Sequence, residues 1–310
     1  MQADTHPAKW KILLAFAIIY FVWGSTFFAI RVGVHEVPPL LYAAMRFFVA
    51  GLVLFVWVVA RGEHLPNRRE WASISLLAFM IFLVDYGLLF WAEQRVPSGI
   101  AAVMMATIPA FMALSEIVFL RTQRFTVRLA FALLVGFGGV AVLVTPSLSF
   151  GGTPIDWPGA VALVIAALSW SVASAFSRKL ALPASKVMSA GTQMLVGGML
   201  LAIAAVSLGE LHDFHPSAVS LDAWAALLYL IVAGSIIGFT AYVWLIHHES
   251  PTRVGTYAYV NPVVAVVLGY FLGGEPLNSR TILGTLCVLV SVVVITTARA
   301  KKAPPALVDQ

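Results

Sequence analysis

Apolar runs of 18 or more residues recur along the whole of this 310-residue chain, and no other feature limits its fold so severely. A bilayer core is about 30 Å thick and takes roughly 20 helical residues to cross, so each run has the length of a crossing. The runs lie near 12–30, 40–60, 72–92, 98–120, 126–145, 157–176, 187–208, 223–246, 253–273 and 280–298, ten in all. They lack the period-two alternation of a barrel wall. A backbone in lipid must then find its hydrogen bonds within its own segment, as in a helix. Composition agrees, since 61% hydrophobic against 11% charged residues lies outside the soluble balance. The expected fold is an all-α integral membrane protein of ten transmembrane helices.

The first run ends in Phe27-Phe28-Ala29-Ile30-Arg31 without a small-residue cleavage site, so it reads as a retained span rather than a signal peptide. Cys287 is the single cysteine, which leaves no intramolecular disulfide and no cysteine metal cluster. The net charge of +5 is dispersed over loops and forms no stripe for nucleic acid; it reports orientation. With the N-terminus inside, the inner loops collect Lys9, Lys11, Arg61, Arg68, Arg69, Arg121, Arg124, Arg128, Arg178, Lys179, Lys186, Arg253, Arg299, Lys301 and Lys302. The outer loops hold only Arg31, Arg95 and Arg280. Fifteen against three places both termini in the cytoplasm of a multi-pass inner (plasma) membrane protein.

A Pro/Gly-rich stretch from Thr145-Pro146 to Asp156-Trp157-Pro158 separates two halves, 1–148 and 149–310, of five runs each. Trp23 precedes Arg31 by the same eight residues that separate Trp170 from Arg178, and Pro97, which opens the fourth run, with Pro109 twelve residues on parallels Pro251, which opens the ninth, with Pro262 eleven on. Because five is odd, the halves must cross in opposite senses, the inverted-repeat arrangement from which secondary transporters build a midplane site.

Polar groups inside runs point to that site. Arg46 and Asp85 each lie about 10 Å deep by helical rise, close enough to pair, either as a structural ion pair or as gating or coupling groups. Glu116, one turn from the inner end of the fourth run, is the third candidate of this kind. Pro109 and Pro262 each interrupt a helix and release the carbonyl four residues earlier, at Met105 and Ala258. Tyr257, Tyr259 and Asn261 bring phenols and an amide beside the second break. Trp23, Ser25 and Thr26 of the first run, Tyr86 of the third, Trp170 and Ser174 of the sixth and Tyr242 of the eighth complete the expected substrate-binding set. Trp91 and Trp244, near run ends, read better as interfacial belt residues. Gly234 with Gly238, and Gly269 with Gly273, read as helix packing. His247-His248-Glu249 has no ligand set at helical spacing, and no Walker A loop or G-x-S-x-G elbow occurs. The chain therefore reads as a non-enzyme without metal or cofactor, driven by gradients.

Trp23-Gly24-Ser25-Thr26-Phe27, Met45-Arg46-Phe47, Ala92-Glu93-Gln94-Arg95-Val96-Pro97-Ser98-Gly99, Asn261-Pro262 and Gly274-Glu275-Pro276-Leu277 together resemble the ten-helix EamA-type members of the drug/metabolite transporter superfamily. The Gly-Glu signature stands only in the second half; the first reads Arg121-Thr122-Gln123-Arg124 there. The resemblance implies two inverted five-helix repeats around a central cavity lined by helices 1, 3, 4, 6, 8 and 9, with 5 and 10 peripheral. No Lys or Arg lies deep in those lining runs, which disfavours phosphorylated cargo, and no acid stands in the first run, where the four-helix drug/proton antiporters of the superfamily carry theirs. The expected function is export of a small metabolite, an amino acid or related neutral or aromatic compound, by alternating access. Multidrug or other metabolite efflux by proton antiport is the alternative, and a membrane receptor or scaffold the non-transport one. The expected partners are a small-molecule substrate and the lipid bilayer, with the chain a monomer or a homodimer.

Overall fold

The structure, a computed structural model, describes residues 8–120, 125–144, 156–177, 179–212, 214–249, 254 and 257–296. Its helices in chain order are α1 (Lys9–Val34), α2 (Pro39–Ala60), α3 (Arg68–Glu93), α4 (Ser98–Phe119), α5 (Val127–Val144), α6 (Trp157–Ser177), α7 (Lys186–Ser207), α8 (Leu221–Ile246), α9 (Tyr257–Gly273) and α10 (Ser279–Thr296). Seven of them are long and apolar enough to cross a membrane; α5, α9 and α10 are shorter apolar helices. No strand occurs among the described residues.

Short polar and proline-rich punctuation sets the helix limits. Pro39 opens α2 from a non-helical Pro38, where the missing N–H costs nothing. Asn67 and Glu70 form a reciprocal capping box at the start of α3, and Ser185 and Ser220 cap α7 and α8. Helix α4 is interrupted at Ala106–Thr107, just before Pro109. Among the described residues four stretches are π-helical: Ile18–Val22, Phe79–Tyr86 and Leu230–Ile237 within α1, α3 and α8, and Glu116–Leu120 at the end of α4; such wide turns recur at functional sites.

The packing divides the helices by role. Helices α2 and α7 approach backbone to backbone: a Cβ at Gly198 would stand 2.6 Å from the Phe48 Cα, and one at Gly51 would stand 2.7 Å from the Leu195 Cα. Helices α5 and α10 pair through the Ser291 hydroxyl, which donates to the Ala132 carbonyl at 2.5 Å. Outward faces are apolar, with Val53, Val56, Leu134, Ile203, Leu228 and Phe271 exposed, as lipid requires. The core is rich in alanine and small residues, which allows this close approach.

Candidate functional site

Helices α1, α3, α4, α6 and α9 line a partly open cavity between the two halves of the chain. Its wall includes Trp23, Asp85, Tyr86, Met105, Trp170 and Tyr257. Eight residues separate Asp85 from the end of α3, so it lies about 12 Å in from that end.

Aromatic rings make the frame. Trp23 meets Trp170 edge-on at 6.0 Å and Tyr257 edge-on at 5.4 Å, with Tyr242 of α8 at 5.0 Å. Tyr86 in turn meets Trp170 edge-on at 6.0 Å. Such pairs hold one another's orientation and contribute about 0.5–1.5 kcal/mol each beyond burial. Trp23 is fixed further by its indole N–H, which donates to the Gly234 carbonyl at 3.1 Å. In the orientation that satisfies its neighbours, the Asn261 amide donates to the carbonyls of Tyr20 at 2.9 Å and of Ile19 and Tyr257 at 3.2 Å, tying α9 to the π-helical stretch of α1.

The expected site residues separate into groups. Trp23, Thr26, Tyr86, Met105, Trp170, Tyr257, Asn261 and Asp85 line the cavity, and Tyr242 touches its rings from behind. Pro109 and Ser174 are buried beside the wall but outside it. Ser25 turns away, sharing a hydrogen bond of 2.6 Å with the Tyr229 hydroxyl. The side chains of Tyr259 and Glu116 fall outside the described residues, as do Arg121, Arg124, Arg178, Arg253, Arg299, Lys301 and Lys302 of the charge count.

Arg46 and Asp85 do not pair, contrary to the expectation from their depth. Arg46 is fully enclosed; its Nε donates to the Ser235 hydroxyl at 2.9 Å, and its guanidinium lies 4.6, 5.3 and 5.9 Å from the ring centres of Phe47, Tyr86 and Phe90. Sequence depth places two charges at one level but leaves their facing undetermined, and here the residue that meets Arg46 is Tyr86, one position past Asp85. The glycines read as packing also act otherwise. A Cβ at Gly234 would stand 2.9 Å from an Arg46 nitrogen, one at Gly238 would stand 2.6 Å from the Trp23 indole nitrogen, and one at Gly269 would collide with the Glu275 carboxylate. They make room for side chains.

At one end of the bundle, loop carboxylates grip helix starts. Glu275 accepts the amide and hydroxyl of Ser98 at 2.8 and 2.6 Å and the Gly99 amide at 3.1 Å, so its charge meets the positive end of α4. Gly274, at a φ of +61°, turns the chain out of α9 and allows this. Arg31 pairs with Glu275 at 3.4 Å and donates to the Glu93 and Val96 carbonyls at the end of α3, both at 2.7 Å. Because α1 runs on to Val34, Arg31 belongs to its last turn and not to a loop. Glu210 accepts the Leu41 amide at 2.8 Å and the Leu40 amide at 3.3 Å; burial pushes its carboxyl above the ordinary range, with those two amides opposing. Glu36 accepts the amide and hydroxyl of Ser220 at 2.6 and 2.7 Å, which hold its carboxyl below the ordinary range. Glu93 is fully buried behind this latch with neither carboxyl oxygen bonded. Glu36, Glu93, Glu210 and Glu275 were not among the expected site residues. The helix partners of Glu36, Glu210 and Glu275 are distant in sequence, and only the family motifs at 92–99 and 274–277 carried two of the four, Glu93 and Glu275.

The model of the EamA-like transporter family matches residues 9–145 and again 157–297. The chain belongs to that family. It is a membrane transporter, as the family resemblance of its motifs implied. It is 37% identical over 281 residues to "Uncharacterized inner membrane transporter YedA" of Escherichia coli K12, covering 90% of this chain and 88% of that protein. A WAT1-related chloroplastic protein of Arabidopsis thaliana is 26% identical, over 93% of this chain and 69% of its own length. A solved crystal structure shares the fold of this EamA-family chain, with a TM-score of 0.64 at 22% identity over 92% of this chain and 96% of the other. The two family matches meet at the Pro/Gly-rich stretch, and the wall residues come from both: Trp23, Asp85 and Met105 from one, Trp170, Tyr257 and Asn261 from the other.

Proposed function

We propose that this EamA-family transporter exports a small metabolite, an amino acid or a related neutral or aromatic compound, across a bacterial inner membrane. The single observation that carries the reading is the aromatic cavity, walled by residues of both family matches. Transport proceeds by alternating access, as two inverted five-helix repeats, 1–148 and 149–310, rock about that cavity. The loop charges support cytoplasmic termini. In this orientation the Arg31 and Glu275 latch lies on the outer side, and its carboxylate grips join the two repeats: Glu275 and Glu210 of the second hold α4 and α2 of the first, and Glu36 of the first holds the start of α8. Closing the outer gate forms these contacts and opening it breaks them. The relative YedA is named as an inner membrane transporter, which agrees with the location.

The second reading, efflux coupled to proton entry, is favoured by one observation: Asp85 is a carboxyl in the wall with an unbonded oxygen, a site able to hold a proton in exchange for cargo.

Reconstitution in liposomes tests both. Loaded with labelled aromatic and neutral amino acids, vesicles should show counterflow above empty-vesicle controls, and counterflow without a pH gradient selects the first reading over the second. Absence of counterflow across the whole panel would reject this substrate class.

A further inference from the structure

Asp85 is a charged-type side chain placed against an aromatic wall with nothing to answer it. The residue is 1% exposed, and its Oδ1 has no hydrogen-bond partner. Three neighbouring polar groups are engaged elsewhere, while the buried Trp170 indole N–H has no hydrogen-bond partner. The Trp23 indole donates to the Gly234 carbonyl, the Thr26 hydroxyl to the Trp23 carbonyl, and the Asn261 amide to the carbonyls of Ile19, Tyr20 and Tyr257. No lysine, arginine or histidine stands among the described residues of the wall. Arg46 approaches only as far as the Tyr86 ring, 5.3 Å from its centre, and directs its Nε to Ser235.

A carboxyl removed from water requires either a proton or a cation, because an isolated charge in so apolar a place is costly. The rest of the wall suits the second solution. Trp23, Tyr86, Trp170 and Tyr257 turn aromatic surface toward the same space, and a cation within about 6 Å of such rings is stabilised by their quadrupoles.

The geometry points to a protonated organic amine as the ligand of this cavity, its ammonium meeting Asp85 and its aromatic or apolar body lying against Trp23, Trp170 and Tyr257. This assignment rests on the cavity being the transported molecule's site, as proposed above, and narrows that reading. A free α-carboxylate would bring a second anion beside Asp85 with no cation in the described wall to receive it. An amine therefore binds better than the amino acid with the same ring. A neutral ring compound gains the aromatic contacts alone and ranks below the amine.

Binding to the purified full chain in nanodiscs tests this with four indole probes that differ in charge: tryptamine, tryptophan, 3-methylindole and indole-3-propionate. Displacement of labelled tryptamine should rank tryptamine first, at least about tenfold ahead of tryptophan and of indole-3-propionate, a tenfold step being about 1.4 kcal/mol. Tryptophan or indole-3-propionate binding as tightly as tryptamine overturns the assignment, and that ranking needs no variant. Asp85→Asn should weaken tryptamine about tenfold or more while leaving 3-methylindole within about twofold, and Asp85→Glu should restore part of the preference. An unchanged ratio of tryptamine to 3-methylindole in Asp85→Asn also overturns it. Liposome counterflow separates this from the export reading. If the amine preference holds but no amino acid of the panel is carried, the export reading is rejected and the ligand assignment stands; if amino acids are carried while tryptamine binds no better than tryptophan, export stands and the ligand assignment is rejected.

Discussion

The cavity and the latched end treat acidic side chains in opposite ways. At the latch, Glu275, Glu210 and Glu36 each accept from the amides that open a helix, and Arg31 stands beside Glu275. In the cavity Asp85 has an unbonded oxygen and no cation in the described wall. Glu93 makes the contrast sharper, because it lies on the same helix as Asp85, is as deeply buried and is equally unbonded, yet lines no described cavity and sits where Arg31 meets its own carbonyl. Acids at helix starts are structural by their bonds. An acid that opens onto empty space is available to a ligand.

The largest effect is expected at the latch. Glu275→Ala deprives the Ser98 and Gly99 amides of their acceptor and leaves Arg31 without its carboxylate, a loss of about 3 kcal/mol given that bonds to charged groups contribute roughly 1.5–3 kcal/mol each. Thermal melting in detergent should fall accordingly, and a cysteine placed near Ser98 should label faster. Unchanged labelling would mean that the grip does not hold this end closed.

A smaller effect is expected at the cavity, where Gly238→Ala pushes against the Trp23 indole and disturbs its bond to Gly234. Alanine regains up to about 1 kcal/mol of helix propensity, so melting should change little while affinity for an aromatic probe drops roughly fivefold, about 1 kcal/mol. A drop in melting with intact affinity would show that Gly238 serves packing after all.

The smallest effect concerns Glu36. Its carboxyl is held below the ordinary range by Ser220, so the contact stabilises the fold at neutral pH and is lost as pH falls through that lowered value. Melting temperature followed from about pH 7 to about pH 3 should decline less steeply in Glu36→Gln than in the unmodified chain. Parallel curves would remove Glu36 from the set of linked carboxylates.

Much of this was legible in the linear chain, for definite reasons. Helix positions follow from apolar length and from Pro, Asn and Ser punctuation, which are local properties. The wall residues Trp23, Tyr86, Trp170 and Tyr257 stood out because polar or aromatic bulk inside an apolar run is rare enough to notice. Which face each side chain takes is not local. Arg46 and Asp85 share a depth but face apart, and Ser25 leaves the cavity that Thr26, its neighbour, enters.

The sequence by itself determined that this chain is a bundle of membrane-length helices with aromatic and polar residues at mid-depth, since bilayer thickness and backbone hydrogen bonding leave an apolar run no other form. Only the tertiary structure decided that Arg46 stacks on rings while Asp85 is left unanswered, and that Glu275 reaches across 176 or 177 residues to the start of α4. The reason is the same in each case: a charge buried from water is settled by whatever other helices bring within about 4 Å, and the chain's order does not state that distance.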